Sequence, residues 1–227
     1  MKLVLCHGWG MDSAIWQALL PELPSHWQLS CLQWPGYGGT AELAPEQWLP
    51  WWLEQLQEDA HYLGWSLGAL YLQQLMLASE AKGKRVRGCL YLSMAKQLVL
   101  PGGLCQPELT QFSQAFARQP LAAWRHFCRW QLRGETHAQQ CWQQLQRLYP
   151  QPPASQTTLA QGLIDLAQLR MQSALCSREF FLLGAQDPLM AQGLDYALYL
   201  PEVGHCPQLS QPQQLAQQLV ALLGDTA

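Results

Sequence analysis

The sequence predicts an α/β fold: a mostly parallel sheet of about six strands flanked by helices, with a helical cap inserted in the middle of the chain. Three observations lead there. Six short apolar runs are set off by Gly and Pro, and helical spacing of apolar residues fills stretches between them. From about Pro101 to Met171 the strand pattern gives way to helical patterns alone.

The runs are "KLVLC" (2–6), "LSCLQW" (29–34), "HYLGW" (61–65), "GCLYLS" (88–93), "REFFLLG" (178–184) and a weaker "YALYLP" (196–201). Continuous apolar runs of this length fit strands buried on both faces, as in a parallel sheet. Between them, residues 45–58 carry Trp48, Trp51, Trp52 and Leu56 at helical spacing. Residues 67–80 carry Leu67, Leu70, Tyr71, Leu75 and Leu77, and residues 211–223 carry Leu215, Leu219 and Leu222. Alternating strand and helix is the pattern of a parallel α/β sheet. Helices are expected near 107–118, 120–132, 135–148 and 156–168, broken by "RQP", "RGE" and "YPQPP". The expected division is a core of residues 1–98 and 172–227 with a cap of residues 99–171.

Composition narrows the function classes. A chain of 227 residues can bury a sizeable single core. It is 49% hydrophobic and 13% charged with a net charge of −3, which speaks against nucleic-acid binding through bulk charge. The opening "MKLVLCHGWG" has too short an apolar stretch for a signal-peptide core or a membrane span, so a cytoplasmic protein off the membrane, and a monomer, is expected. Eight cysteines form no CxxC pair and suggest no metal site; they read as buried free thiols. Cys6 and Cys206 each adjoin a histidine, which would make the protein sensitive to thiol reagents.

The chemistry gathers at four places. "GWSLG" puts Ser66 between Gly64 and Gly68, after a strand and before a helix. That is the context of a nucleophile elbow, where small neighbours let a strained turn display the serine. His205 follows the last strand, where a general base on the same sheet edge could reach Ser66. Asp187 lies at the end of the fifth strand, with Pro188 fixing the turn, and can orient the imidazole. "HGWG" (7–10) follows the first strand; the backbone N–H groups of Trp9 and Leu67 would hold a carbonyl oxygen as it becomes negative. Asp165, Asp195 and Glu202 compete less well for the acid, and His26, His61, His126 and His137 read as structural. The order Ser66, Asp187, His205 is that of α/β-hydrolases.

Taken together, "LCHGWGMDSAIW", "WPGYGG", "LGWSLGAL", "GAQDPLM" and "GHCPQLSQP" resemble the BioH family, the pimeloyl-[acyl-carrier protein] methyl ester carboxylesterases of biotin synthesis. The cap is similar more loosely, through "HFCRWQLRGET". The resemblance implies a serine esterase acting through an acyl-enzyme, with no metal and no organic cofactor. It also implies substrate contacts at Trp9, Ser66, Leu67, His205 and the segment Phe127, Cys128, Arg129, Trp130 and Gln131. Two departures stand out. The N-terminal strand hairpin of that family is missing, and Trp34 stands where an aspartate is usual. Arg125, Arg129 and Arg133 recur every four residues, with Arg118 upstream; on one helix they would form a basic stripe for an acidic acyl carrier protein. Three alternatives stay open: a general short-chain esterase or thioesterase on small esters, a lyase with the same triad, and a non-catalytic binding protein on a hydrolase scaffold.

Overall fold

The computed structural model describes residues 1–172 and 178–224. Its centre is a six-stranded sheet: β1 (Lys2–Cys6), β2 (Gln28–Leu32), β3 (His61–Trp65), β4 (Gly88–Leu92), β5 (Glu179–Gly184) and β6 (Ala197–Leu200). The spatial order is β2-β1-β3-β4-β5-β6, and every neighbouring pair is parallel. The order reverses at β1, so the carboxyl ends of β1 and β3 open side by side at the switch point, where α/β sheets place their sites. β3 and β4 are buried along their whole length, whereas the edge strands β2 and β6 are partly exposed. The continuous apolar runs are thus the strands that other elements cover on both faces.

Three longer helices flank the sheet: α1 (Pro45–Gln55), α2 (Leu67–Ala81) and α8 (Pro212–Leu223), the last preceded by the single turn α7 (Pro207–Ser210). Between β4 and β5 stand α3 (Gln106–Arg118), α4 (Pro120–Trp130), α5 (Ala138–Leu148) and α6 (Gln156–Gln168), the helices of the segment expected as a cap.

Element ends differ from expectation where side chains far along the chain intervene. The second strand stops at Leu32: Gln33 leaves the sheet to bond Ser13, and the Trp34 indole N–H donates to the His7 carbonyl at 2.7 Å. Helix α1 ends at Gln55 because the Gln57 N–H turns to the Tyr62 hydroxyl at 2.8 Å. Helix α4 ends at Trp130 and α5 begins at Ala138, so the "RGE" break is a longer turn than the sequence suggested.

Trp34 is buried and packs on Trp52, with ring centroids 4.5 Å apart, and on Tyr71 at 5.3 Å. An apolar ring in place of a carboxylate therefore joins an aromatic cluster under α1. Tyr71 in turn donates to Asp165 on α6, linking core to cap. Among the described residues no helix is long and apolar enough to cross a membrane.

Candidate active site

Ser66 follows β3 directly and has φ +54°, a left-handed value that non-glycine residues rarely adopt. The turn holds it there: Ser66 N–H donates to the Leu92 carbonyl, and its own carbonyl accepts from Ala69 N–H, both at 2.9 Å. The flanking glycines are required by space. A Cβ on Gly64 would lie 2.7 Å from the Ala69 Cα, and one on Gly68 would lie 2.3 Å from the His7 carbonyl oxygen. Helix α2 thus starts hard against the loop after β1.

That loop is "HGWG". A Cβ on Gly8 would lie 3.0 Å from the Ser66 Cβ. The loop that carries Trp9 thus lies directly against the turn that carries Ser66 and Leu67. Two indoles tie the loop to the cap. Trp9 Nε1–H donates to the Leu159 carbonyl on α6 at 2.8 Å, and Trp124 Nε1–H on α4 donates to the Gly10 carbonyl at 2.9 Å. His7 is wholly buried; its Nε2 accepts from Trp34 N–H and its Nδ1 faces the Gly8 carbonyl. Burial pushes its pKa down to about 4, so it stays neutral at pH 7.

His205 and Asp187 complete a chain of hydrogen bonds. His205 Nε2 lies 3.0 Å from Ser66 Oγ, and His205 Nδ1 lies 2.8 Å from Asp187 Oδ2. The tautomer that satisfies both has Nδ1–H donating to the carboxylate and Nε2 accepting from the serine hydroxyl. The other Asp187 oxygen accepts from Leu189 N–H at 2.8 Å, which fixes the carboxylate plane. Trp65 Nε1–H donates to the His205 carbonyl at 2.8 Å. All three side chains are buried.

An apolar pocket adjoins Ser66. Helix α3 contributes Leu109 and Phe112, α4 contributes Phe127 and Trp130, α6 contributes Leu163 and Leu166, and loops contribute Leu98, Leu104 and Leu189. Its free space is only about 20 Å³, room for roughly one water.

The segment 127–131 divides as a helix must. Phe127 and Trp130, three residues apart, face the pocket. Cys128 and Arg129 instead line a surface cleft with Trp124, Arg125 and Trp142, and Gln131 is buried outside the pocket lining. Four consecutive helical residues and the C-cap after them cannot share one face. The basic stripe needs a similar correction. Arg118 ends α3, Arg125 and Arg129 lie on α4, and Arg133 lies in the turn beyond it. All four are exposed on the cap, with no carboxylate within ion-pairing distance among the described residues. Cys6 and Cys206 are wholly buried, and burial pushes both thiols up, so the expected sensitivity to thiol reagents does not hold at these two. Among the described residues no cluster could hold a metal ion.

Sequence reasoning missed the pocket residues of α3 and α6 and the carboxylate of Glu135 behind His205. The amphipathic pattern of α3 and α6 was visible, but not which part of each face meets Ser66.

Comparison with known proteins agrees with this geometry. Residues 3–218 match the model of the alpha/beta hydrolase family. The chain is 31% identical to a pimeloyl-[acyl-carrier protein] methyl ester esterase of Aromatoleum aromaticum, over 94% of each chain. It is 29% identical to the protein of that name from Aeromonas salmonicida, over 95% of this chain and 92% of the other. In fold it is similar to an esterase from Exiguobacterium antarcticum, with TM-score 0.82, 15% identity, and coverage of 99% of this chain and 92% of that one. The protein is a member of the alpha/beta hydrolase family and, within it, belongs with the pimeloyl-[acyl-carrier protein] methyl ester esterases.

Proposed function

We propose that the protein is a serine carboxylesterase that removes the methyl ester from a pimeloyl group carried on acyl carrier protein, a step of biotin synthesis. The observation that carries the reading is the Ser66–His205–Asp187 hydrogen-bond chain set beside an apolar pocket.

The mechanism follows from the positions. As Ser66 Oγ attacks the ester carbonyl, its proton passes to His205 Nε2, and Asp187 stabilises the imidazolium. The amides of Trp9 and Leu67 hold the negative oxygen of the tetrahedral intermediate. The intermediate collapses, the C–O bond to the methoxy group breaks, and His205 returns the proton to give methanol. Water then repeats the sequence on the acyl-enzyme and releases the carboxylic acid and Ser66. No cofactor enters any step.

Residues 99–171 act as the cap, and Phe127 and Trp130 contact the acyl chain. The cap supports the carrier as partner. It holds six arginines (Arg118, Arg125, Arg129, Arg133, Arg147 and Arg170) against three carboxylates (Glu108, Glu135 and Asp165), while the whole chain has net charge −3. An acidic carrier would meet the cap first and be steered toward the pocket. The working form is a cytoplasmic monomer.

Methanol release should be measured from the carrier-bound pimeloyl methyl ester beside dimethyl pimelate and short p-nitrophenyl esters. A strong preference for the carrier-bound ester is expected. Equal or better turnover of the small esters would leave the serine esterase standing and replace the carrier reading with that of a general esterase.

A further inference from the structure

The turn between α4 and α5, residues 131–137, does more than join two helices. It is wedged between the loops that carry Asp187 and His205. Gly134, at φ +86°, backs so closely onto the Gln186 carbonyl that a Cβ would lie 2.0 Å from its oxygen. Thr136 Oγ1–H donates to the Glu202 carbonyl at 2.8 Å. Between them Glu135, only 7% exposed, points inward. Its Oε1 accepts from Cys206 N–H at 2.6 Å; its Oε2 accepts from Gly204 N–H at 3.0 Å and from the Ser210 hydroxyl at 2.5 Å. The two amides are those on either side of His205.

A buried carboxylate is expensive unless donors or a cation compensate it. No cation lies within ion-pairing distance of Glu135 among the described residues, so its three donors are its direct compensation. Nothing in the proton relay from Ser66 to His205 requires this group, yet it grips the backbone of the base from both sides. We infer that Glu135 is a positioning residue for His205: it clamps the backbone on each side of the imidazole and sets a second fixed negative charge, besides Asp187, that favours the imidazolium formed as Ser66 attacks. The inference rests on the proposed triad.

The electrostatics agree with the geometry. Burial raises the Glu135 carboxyl, while its three donors and the charge of His205 pull it back toward the ionised form. Attraction is mutual, so an ionised Glu135 favours a protonated His205. The other titratable groups in this field are Asp187, which shares His205, and the thiols of Cys206, Cys141 and Cys128, all pushed up by burial and therefore neutral. Because Glu135 belongs to the turn that follows α4, which also supplies Phe127 and Trp130 to the pocket, the acyl site and the base share one element.

The test compares E135Q, E135D and S210A with the wild type on a p-nitrophenyl ester. Folded active sites are counted by the acyl-enzyme burst, so that rates are per competent site. For E135Q, kcat should fall roughly 10- to 100-fold with KM within about twofold, as misplacement of a catalytic group requires. The acid limb of kcat/KM, which reports His205, should move to lower pH. E135D, which keeps the charge, should recover most of the limb's position, and S210A should lose only a few-fold in kcat. An E135Q enzyme with wild-type kcat per site, or with an unmoved acid limb, overturns the inference. S66A is run alongside: if it stays active the triad itself is wrong, and if it is dead while E135Q is normal, only the clamp is wrong.

Discussion

Ser66 sits in a backbone conformation that costs on the order of 1–3 kcal/mol in a non-glycine residue. On the proposed mechanism that conformation serves the chemistry, and two substitutions should separate the strain from the reaction. Ser66→Ala keeps the strain and should lower kcat by roughly 10⁶-fold, in line with removal of a serine-protease nucleophile. Ser66→Gly should be equally inactive but more stable than Ser66→Ala by about 1 kcal/mol in urea unfolding, because glycine adopts positive φ freely. More than a few per cent activity in clean Ser66→Ala would remove Ser66 from its role. Asp187→Asn should cost less than loss of the serine, since the aspartate orients and does not react.

His7 makes a claim about acid stability. Its folded pKa of about 4 lies below the ordinary histidine value near 6.5, and burial is the main cause. The unfolded chain therefore takes up a proton first as pH falls. The stabilisation is complete above about pH 6.5 and is lost as pH drops through about 4, on the order of 3 kcal/mol in total. Replacing His7 with asparagine should flatten the fall in urea midpoint between pH 6.5 and 4. An unchanged slope would mean that His7 does not carry it.

At the scale of elements, the strand–turn–helix unit of β3 and α2 was legible because its signals are local. An apolar run, a serine and two small neighbours are all within ten residues. The structure adds why both glycines are needed: a Cβ on Gly68 would press on the carbonyls of Cys6 and His7, and one on Gly64 would press on the backbone of Gly68 and Ala69. Gly68→Ala should therefore destabilise the fold by about 1–3 kcal/mol, as overpacking against backbone does, and should lower activity together with stability. A Gly68→Ala protein with the wild-type urea midpoint would show that the turn has slack. The ends of α1 and α4 were not legible, because the Tyr62 hydroxyl and the wedge at residues 133–136 act across the fold. The same holds for "RGE". As sequence it is a helix break; its contacts with the loops of Asp187 and His205 appear only when β5 and β6 are in place.

At the scale of the molecule, charge divides between the layers. The cap is basic although the chain is acidic overall, and its arginines are spread over α3, α4, the next turn, α5 and the stretch after α6 rather than along one helix. With an acidic carrier as substrate, kcat/KM should fall steeply as salt rises, while turnover of dimethyl pimelate should hardly change. The double variant Arg125→Glu, Arg129→Glu should lose about tenfold on the carrier-bound ester and little on the small one. Equal salt dependence for both esters would count against the cap as the docking face. The order of the site's parts along the chain was legible from the start, whereas the pocket was not. Its walls come from three cap helices whose mutual rotation is a property of packing.

Those walls also bear on what happens after the bond is cut. The pocket beside Ser66 is lined by leucine, phenylalanine and tryptophan, with no cationic side chain among its lining residues. A neutral methyl ester loses little by leaving water for such a surface. The acid made from it is an anion that meets no cationic side chain on the pocket wall, and burying its carboxylate among those apolar groups is costly. A surface that suits the neutral substrate thus holds the ionised product weakly, so the free acid should be a poor inhibitor and should leave without any device for expelling it.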